Sequence, residues 1–177
     1  MRTSTLLFEI GTEELPPRSL NGLRKALQQN ILAGLNQAEL SHGEVKSFAT
    51  PRRLAILVHE LADRQPDQDI EKRGPAVKYA FDDDGVPTKA LAGFMRGCEV
   101  NNLSQLDTVK TSKGDYLVYR STISGLDLPS LLETLLESAL TALPVERRMR
   151  WGKSRLEFVR PVKWLVCLYG SSIVPIE

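Results

Sequence analysis

TLLFEIGTEELPPRSL, residues 5–20, sets the order of the first two elements of the chain. Thr5 to Ile10 is a short apolar run bounded by Gly11, the pattern of a strand that enters a turn. Pro17 restricts Pro16, and Pro16 restricts Leu15, to extended backbone, because a proline ring clashes with a helical predecessor. A helix is therefore predicted to begin at about Pro17, where a missing N–H costs little. Leu20, Leu23, Leu27, Ile31 and Leu35 follow at three- and four-residue steps and predict an amphipathic helix to about Leu40. Glu13 and Glu14 then fall at its N-terminal end, where negative charge is favourable by about 0.3–1 kcal/mol each. Glu9, between Phe8 and Ile10, has no face assigned by this pattern.

Beyond a break at residues 41–43, Val45 to Phe48 and Leu54 to Leu61 read as strands joined by ATPRR, residues 49–53. Pro51 argues against one continuous central strand. Residues 64–87 are charged and punctuated by Pro66, Gly74, Pro75, Gly85 and Pro87, which predicts a long surface excursion. A short helix over residues 88–97 and a hairpin of residues 106–111 and 115–123 follow. Asp127 suits an N-cap for a helix whose apolar face runs from Leu128 to Leu143, and Pro144 ends it. Residues 162–169 read as a last strand.

The expected architecture is α+β, a mixed or largely antiparallel sheet of about five to seven strands with two main amphipathic helices packed on it. Residues 1–177 are read as a single region, with a possible sub-boundary within 64–87. The apolar stretch Ile173 to Ile176 at the end of the chain predicts that 177 residues are the beginning of a longer protein.

Composition narrows the function classes. Hydrophobic residues make up 42% and charged residues 25%, as in ordinary globular proteins, and 23 Lys+Arg nearly balance 22 Asp+Glu. Charge-driven binding therefore needs local asymmetry. Cys98 and Cys167 are far apart and only two histidines accompany them, a pattern that suggests neither a zinc site nor a disulfide framework. With no secretory signal pattern and no run of about 20 apolar residues, the chain is read as cytoplasmic, with no membrane partner.

Several stretches invite a chemical reading. KTSKG at 110–114 has lysines suited to phosphates, but lies between two alternating runs and reads as a hairpin turn. DDDG at 82–85 lacks carboxylates at the first and twelfth places of a calcium loop and reads as an exposed turn. No GxxxxGK[ST], GxGxxG or GxSxG motif occurs, and no catalytic or metal-ligating residue is assigned. Residues 145–164 are strongly basic. Arg147, Arg148, Arg150, Lys153, Arg155 and Arg160 suit phosphate and Trp151 suits base stacking, so these seven are RNA-binding candidates. The alternative is that the arginines form surface salt bridges while Trp151 packs in the core.

FEIGTEELPPRSL (8–20), FATPRRLAILV (48–58), IEKRGPAVKYAFDDDGVPTKALAGFMRGC (70–98), KGDYLVYR (113–120) and MRWGKSRLEFVRPVKWLVCLYG (149–170) occur in that order. Together they resemble the N-terminal region of the β subunit of bacterial glycine-tRNA ligase of the heterotetrameric α2β2 type. The resemblance implies part of an enzyme that uses ATP to attach glycine to its tRNA, with the adenylate chemistry, ATP and Mg2+ at the α subunit and no cofactor on this chain. It implies the α subunit and tRNA(Gly) as partners, through assembly, tRNA contact or both. A free-standing RNA-binding module built on residues 145–164 is the alternative. The acidic turn then suits a basic partner surface, which makes Glu9, Glu13 and Glu14 candidates for a partner interface.

Overall fold

The structure, a computed structural model, describes residues 2–82, 84–111, 114–145, 148–150 and 157–176. In chain order the elements are β1 (Thr3–Thr12), α1 (Leu20–Gln37), β2 (Val45–Thr50), β3 (Arg53–Ala62), β4 (Gln68–Ala76), α2 (Val77–Ala80) and α3 (Lys89–Gly97). There follow β5 (Leu106–Thr111), β6 (Gly114–Ile123), α4 (Leu128–Thr141), β7 (Met149–Arg150), β8 (Glu157–Phe158), β9 (Val162–Tyr169) and β10 (Ser172–Ile173). The chain divides into two compact units, one of residues 1–66 with 125–177 and one of residues 67–124.

The first unit carries a five-stranded sheet in the order β10-β9-β1-β3-β2, antiparallel at every described pairing. Setting aside the short β10 and the separate two-residue pair β7-β8, its elements run β1-α1-β2-β3-α4-β9 with order β9-β1-β3-β2, the split βαβ arrangement of ferredoxin-like domains. The second unit interrupts this pattern in sequence between β3 and α4. Alternation along β1 and β3 sends Leu6, Phe8, Ile10, Leu54, Ile56 and Val58 into the core, each no more than 1% exposed. Leu23, Leu27, Ile31 and Leu35 of α1 meet them, together with Leu132, Leu136 and Ala139 of α4. The helices approach closely at Gly34, where a Cβ would stand 2.9 Å from Leu135 Cγ, and Asn30 Nδ2 donates to Ala139 O at 2.9 Å.

Sheet edges expose unpaired backbone groups that invite further pairing, and α1 guards the β2 edge. Gln28 Nε2 donates to Val45 O at 2.8 Å, and Arg24 Nη1 donates to Ser47 Oγ at 2.9 Å. Between β2 and β3 the chain reverses over Pro51 and Arg52, with Thr50 opposite Arg53, so Pro51 stands in a turn where its missing N–H disturbs no ladder. On β9, burial pushes the Cys167 thiol up to about 11, so it stays protonated at neutral pH.

The second unit is a three-stranded antiparallel sheet, β4-β6-β5, with Ala80, Leu91 and Leu117 at the centre of its core. Here the structure departs from the expected surface excursion, because residues 68–80 form β4 and α2. QDIEKRGPA has no apolar alternation, so its strand character comes from its partner β6 and from charged cross-strand pairs. Arg120 on β6 donates to Glu71 Oε2 at 2.9 Å on one side and to Asp107 Oδ2 at 3.4 Å on the other. The 106–111 and 114–123 hairpin lies in this sheet, leaving the first unit's sheet with five strands. Asp82 Oδ1 accepts from Val86 N at 2.7 Å and Gly85 has φ +77°, so DDDG closes as an exposed turn, Asp83 lying outside the described residues. At KTSKG, Thr111 pairs with Gly114, while Ser112 and Lys113 lie outside the described residues.

Candidate functional site: a charged junction at the end of the sheet

Three of the quoted motifs, GTEELPP, TPRR and VRPVKW, converge where β1 leaves the sheet. Thr12 N donates to Arg52 O at 2.9 Å, Glu13 N to Pro161 O at 3.0 Å and Leu15 N to Pro51 O at 2.7 Å. The extended backbone demanded by the two prolines thus passes between the β2–β3 turn and the start of β9, and its donors are satisfied by both. Leu15 is 1% exposed and anchors the segment in the core. The chain then turns, with Ser19 N donating to Pro16 O at 3.0 Å, and α1 begins at Leu20 rather than at Pro17.

That later start changes the account of the glutamates. No acidic residue lies in the first turn of α1, and helix-dipole stabilisation fades within one turn, so it does not explain Glu13 and Glu14. They face cations brought up by the β2–β3 turn and by β9. Lys163 Nζ lies 2.7 Å from Glu13 Oε1, and Arg52 Nη2 donates to Glu14 Oε1 at 3.1 Å. The sheet register decides Glu9 as well: it points away from the helices, accepts from Trp164 Nε1 at 2.9 Å and lies 3.9 Å from Arg53 Nη1. All three sequence-predicted acids are therefore gathered at one junction and engaged within the chain.

Lys163 holds the Glu13 carboxyl below its ordinary value, by its hydrogen bond first and its charge second. Because the depressed value belongs to the folded state, this pair favours folding above the ordinary carboxylate range and ceases to do so as pH falls through the folded value. Both side chains are about half exposed, and exposed pairs contribute little to stability. Replacing Lys163 by glutamine is expected to raise the Glu13 titration toward the usual carboxylate range without unfolding the chain, the charge of Arg52 still lowering it. A pH titration of the Glu13 carboxyl carbon by NMR checks this, and an unmoved midpoint contradicts the pairing.

Of the basic candidates, Arg147, Trp151, Lys153 and Arg155 lie outside the described residues. Arg148 Nη2 donates to Thr141 O, and Arg150 lies on β7 opposite Glu157. Arg160 joins the junction. Its Nε donates to Glu14 O at 3.0 Å, and its Nη1 donates to Val159 O at 3.1 Å and to Met149 Sδ at 3.3 Å. Among the described residues this guanidinium therefore touches neutral acceptors only, unlike Arg52 and Lys163. Arg53, Lys163, Trp164 and Gly11 were absent from the candidates drawn from sequence; the signal available was the basic and aromatic alternation of RPVKW, which cannot be placed beside β1 without the strand order.

Among the described residues, no group of three or more His, Cys, Asp or Glu is arranged to hold a metal ion, and no helix is long and apolar enough to cross a membrane. A sequence profile described as the glycyl-tRNA synthetase beta subunit matches residues 6–177. The chain is similar to the glycine–tRNA ligase beta subunits of Marinobacter nauticus, at 51% identity over 98% of this chain, and of Hahella chejuensis, at 46% over all of it. That of Salmonella arizonae is 45% identical over 99% of this chain. In each case the match spans a quarter (25%) of the relative's own length. With this match across nearly all of its length, the chain belongs to the glycyl-tRNA synthetase beta subunit family.

Proposed function

We propose that this chain works as the N-terminal part of a glycine–tRNA ligase β subunit and supports the ATP-dependent attachment of glycine to its tRNA. In this reading it assembles with an α subunit in an α2β2 tetramer in the cytoplasm and contributes contacts to tRNA(Gly). The α subunit carries the adenylate chemistry with ATP and Mg2+. The observation that carries the tRNA contact is Arg160. Its guanidinium is fixed by carbonyls at the junction and keeps its positive charge without a described carboxylate partner. Guanidinium held in that way suits a phosphate oxygen, whereas Glu9, Glu13 and Glu14 are already engaged with cations or an indole N–H.

The test is a titration of labelled tRNA(Gly) with the 177-residue chain across about 50–200 mM salt, a range over which phosphate contacts weaken steeply. Binding is expected to fall with salt, and Arg160→Gln is expected to reduce the logarithmic slope by about 1, the change for one lost phosphate contact. No binding at the lowest salt, or an unchanged slope in the variant, overturns the RNA contact. Co-purification of full-length β with α, followed by glycine charging with and without β, tests the assembly. Charging by α that is indifferent to β overturns the subunit reading.

A further inference from the structure

The five-stranded sheet turns one face to α1 and α4 and the other away from them. On this second face the register sets Trp164, Gly11 and Arg53 in one row across β9, β1 and β3. Val166, Glu9, Ala55 and Phe48 form the next row. A Cβ on Gly11 would fall among Cδ2, Cε2 and Cζ2 of Trp164, so the indole lies directly on the glycine backbone. Nε1 is tied to Glu9, and the Arg53 guanidinium carbon lies over the ring, 5.5 Å from its centroid. The ring is thus held by a glycine floor, a carboxylate and an overlying cation, and Trp164 is still 39% exposed.

Covering Gly11 accounts for one face of the indole. We propose that the part of the other face left open by the overlying Arg53 guanidinium is a stacking platform for an unpaired base of single-stranded RNA, with Arg53 as a second planar group. The proposal rests on the RNA contact argued above. With its only N–H donated to Glu9, the indole offers a π surface and no hydrogen-bond donor, the character of sequence-tolerant stacking. Guanidinium planes stack on bases and bind phosphate as well. Arg160 lies at the same end of the sheet, linked to this cluster through Glu14 and Arg52. Phe48, 52% exposed, is three strands away on the same face, about 14 Å by ordinary strand spacing, and offers a second apolar surface farther along a strand of RNA.

The experiment uses the 177-residue chain with Trp151→Phe, which leaves Trp164 as the one tryptophan of the two in the sequence. Its emission is titrated with hexaadenylate and with inorganic polyphosphate of matched charge, while anisotropy of labelled hexaadenylate reports binding separately. Quenching by hexaadenylate and none by polyphosphate is the expected result. Trp164→Leu is expected to weaken hexaadenylate binding by about 5- to 150-fold, the range for loss of one stacked base, and Trp164→Phe to retain most of it. Thermal unfolding checks that the variants fold, and the contrast between the two anions decides the matter if the leucine variant does not.

Salt-dependent RNA binding that leaves Trp164 emission unchanged overturns the platform and leaves the RNA contact standing. Absence of any RNA binding at low salt by the unsubstituted chain, read by anisotropy, removes both. A shift of Trp164 emission on adding purified α subunit, with no response to RNA, places a protein on this face and also overturns the platform.

Discussion

Phe8→Ala is expected to destabilise the first unit by about 3–5 kcal/mol, the range for removing a buried aromatic ring from a packed core. Phe8 is fully buried at the middle of β1, the strand that pairs with both β3 and β9. Leu6 and Ile10 flank it on the same face, and Ile56 and Cys167 stand opposite it on the two neighbouring strands. A strand held on both sides cannot slide inward to fill the space, so the cost includes a cavity as well as lost transfer energy. Urea unfolding followed by circular dichroism is expected to show a lower midpoint for the transition of this unit with an unchanged slope. Phe48 is the internal comparison. It lies on the far face of the same sheet and is 52% exposed, so its truncation should cost much less. Equal losses from Phe8→Ala and Phe48→Ala would contradict the assignment of the two faces.

Gly11→Ala is expected to cost about 1–3 kcal/mol through overpacking, a large effect for one methyl group. The added Cβ and the Trp164 ring cannot share the same space, so the indole must leave its seat and give up the bond from Nε1 to Glu9. Denaturant melts measure the loss, and a red shift of tryptophan emission reports the displaced ring. A double-mutant cycle isolates the cause. In a Trp164→Ala background the same Gly11→Ala change should be nearly neutral, because the space above the glycine is then open. A cost that persists without the indole would mean that backbone freedom at Gly11, rather than close approach, is what the position needs.

Local pattern in the sequence was a good guide wherever one residue's environment depends on its near neighbours. The Leu20 to Leu35 stripe, the alternation of LAILV and the proline stop at residue 144 each report a periodic face or a broken backbone. The β4 strand was not legible, because QDIEKRGPA carries no apolar alternation and takes its order from β6, about fifty residues later. For the same reason the acids of GTEELPP looked like free groups at a helix end. Their partners Arg52, Arg53, Lys163 and Trp164 arrive from the β2–β3 turn and from two other strands, and nothing within the motif announces them.

Sequence therefore sufficed for the family, the α+β class and the positions of both long helices, since motif order and short-range periodicity survive in one dimension. Pairing of β1 with β3 and β9 is a long-range matter, and a register shift of one residue would exchange the two faces of the sheet. It took that pairing to turn Phe8 into core, to lay Trp164 on Gly11, and to convert three apparently available carboxylates into the acidic half of a charged junction. Arg160, between β8 and β9, is left at its rim with neutral acceptors among the described residues, because the meeting of strands brings side chains together across sequence separations that no local pattern can encode.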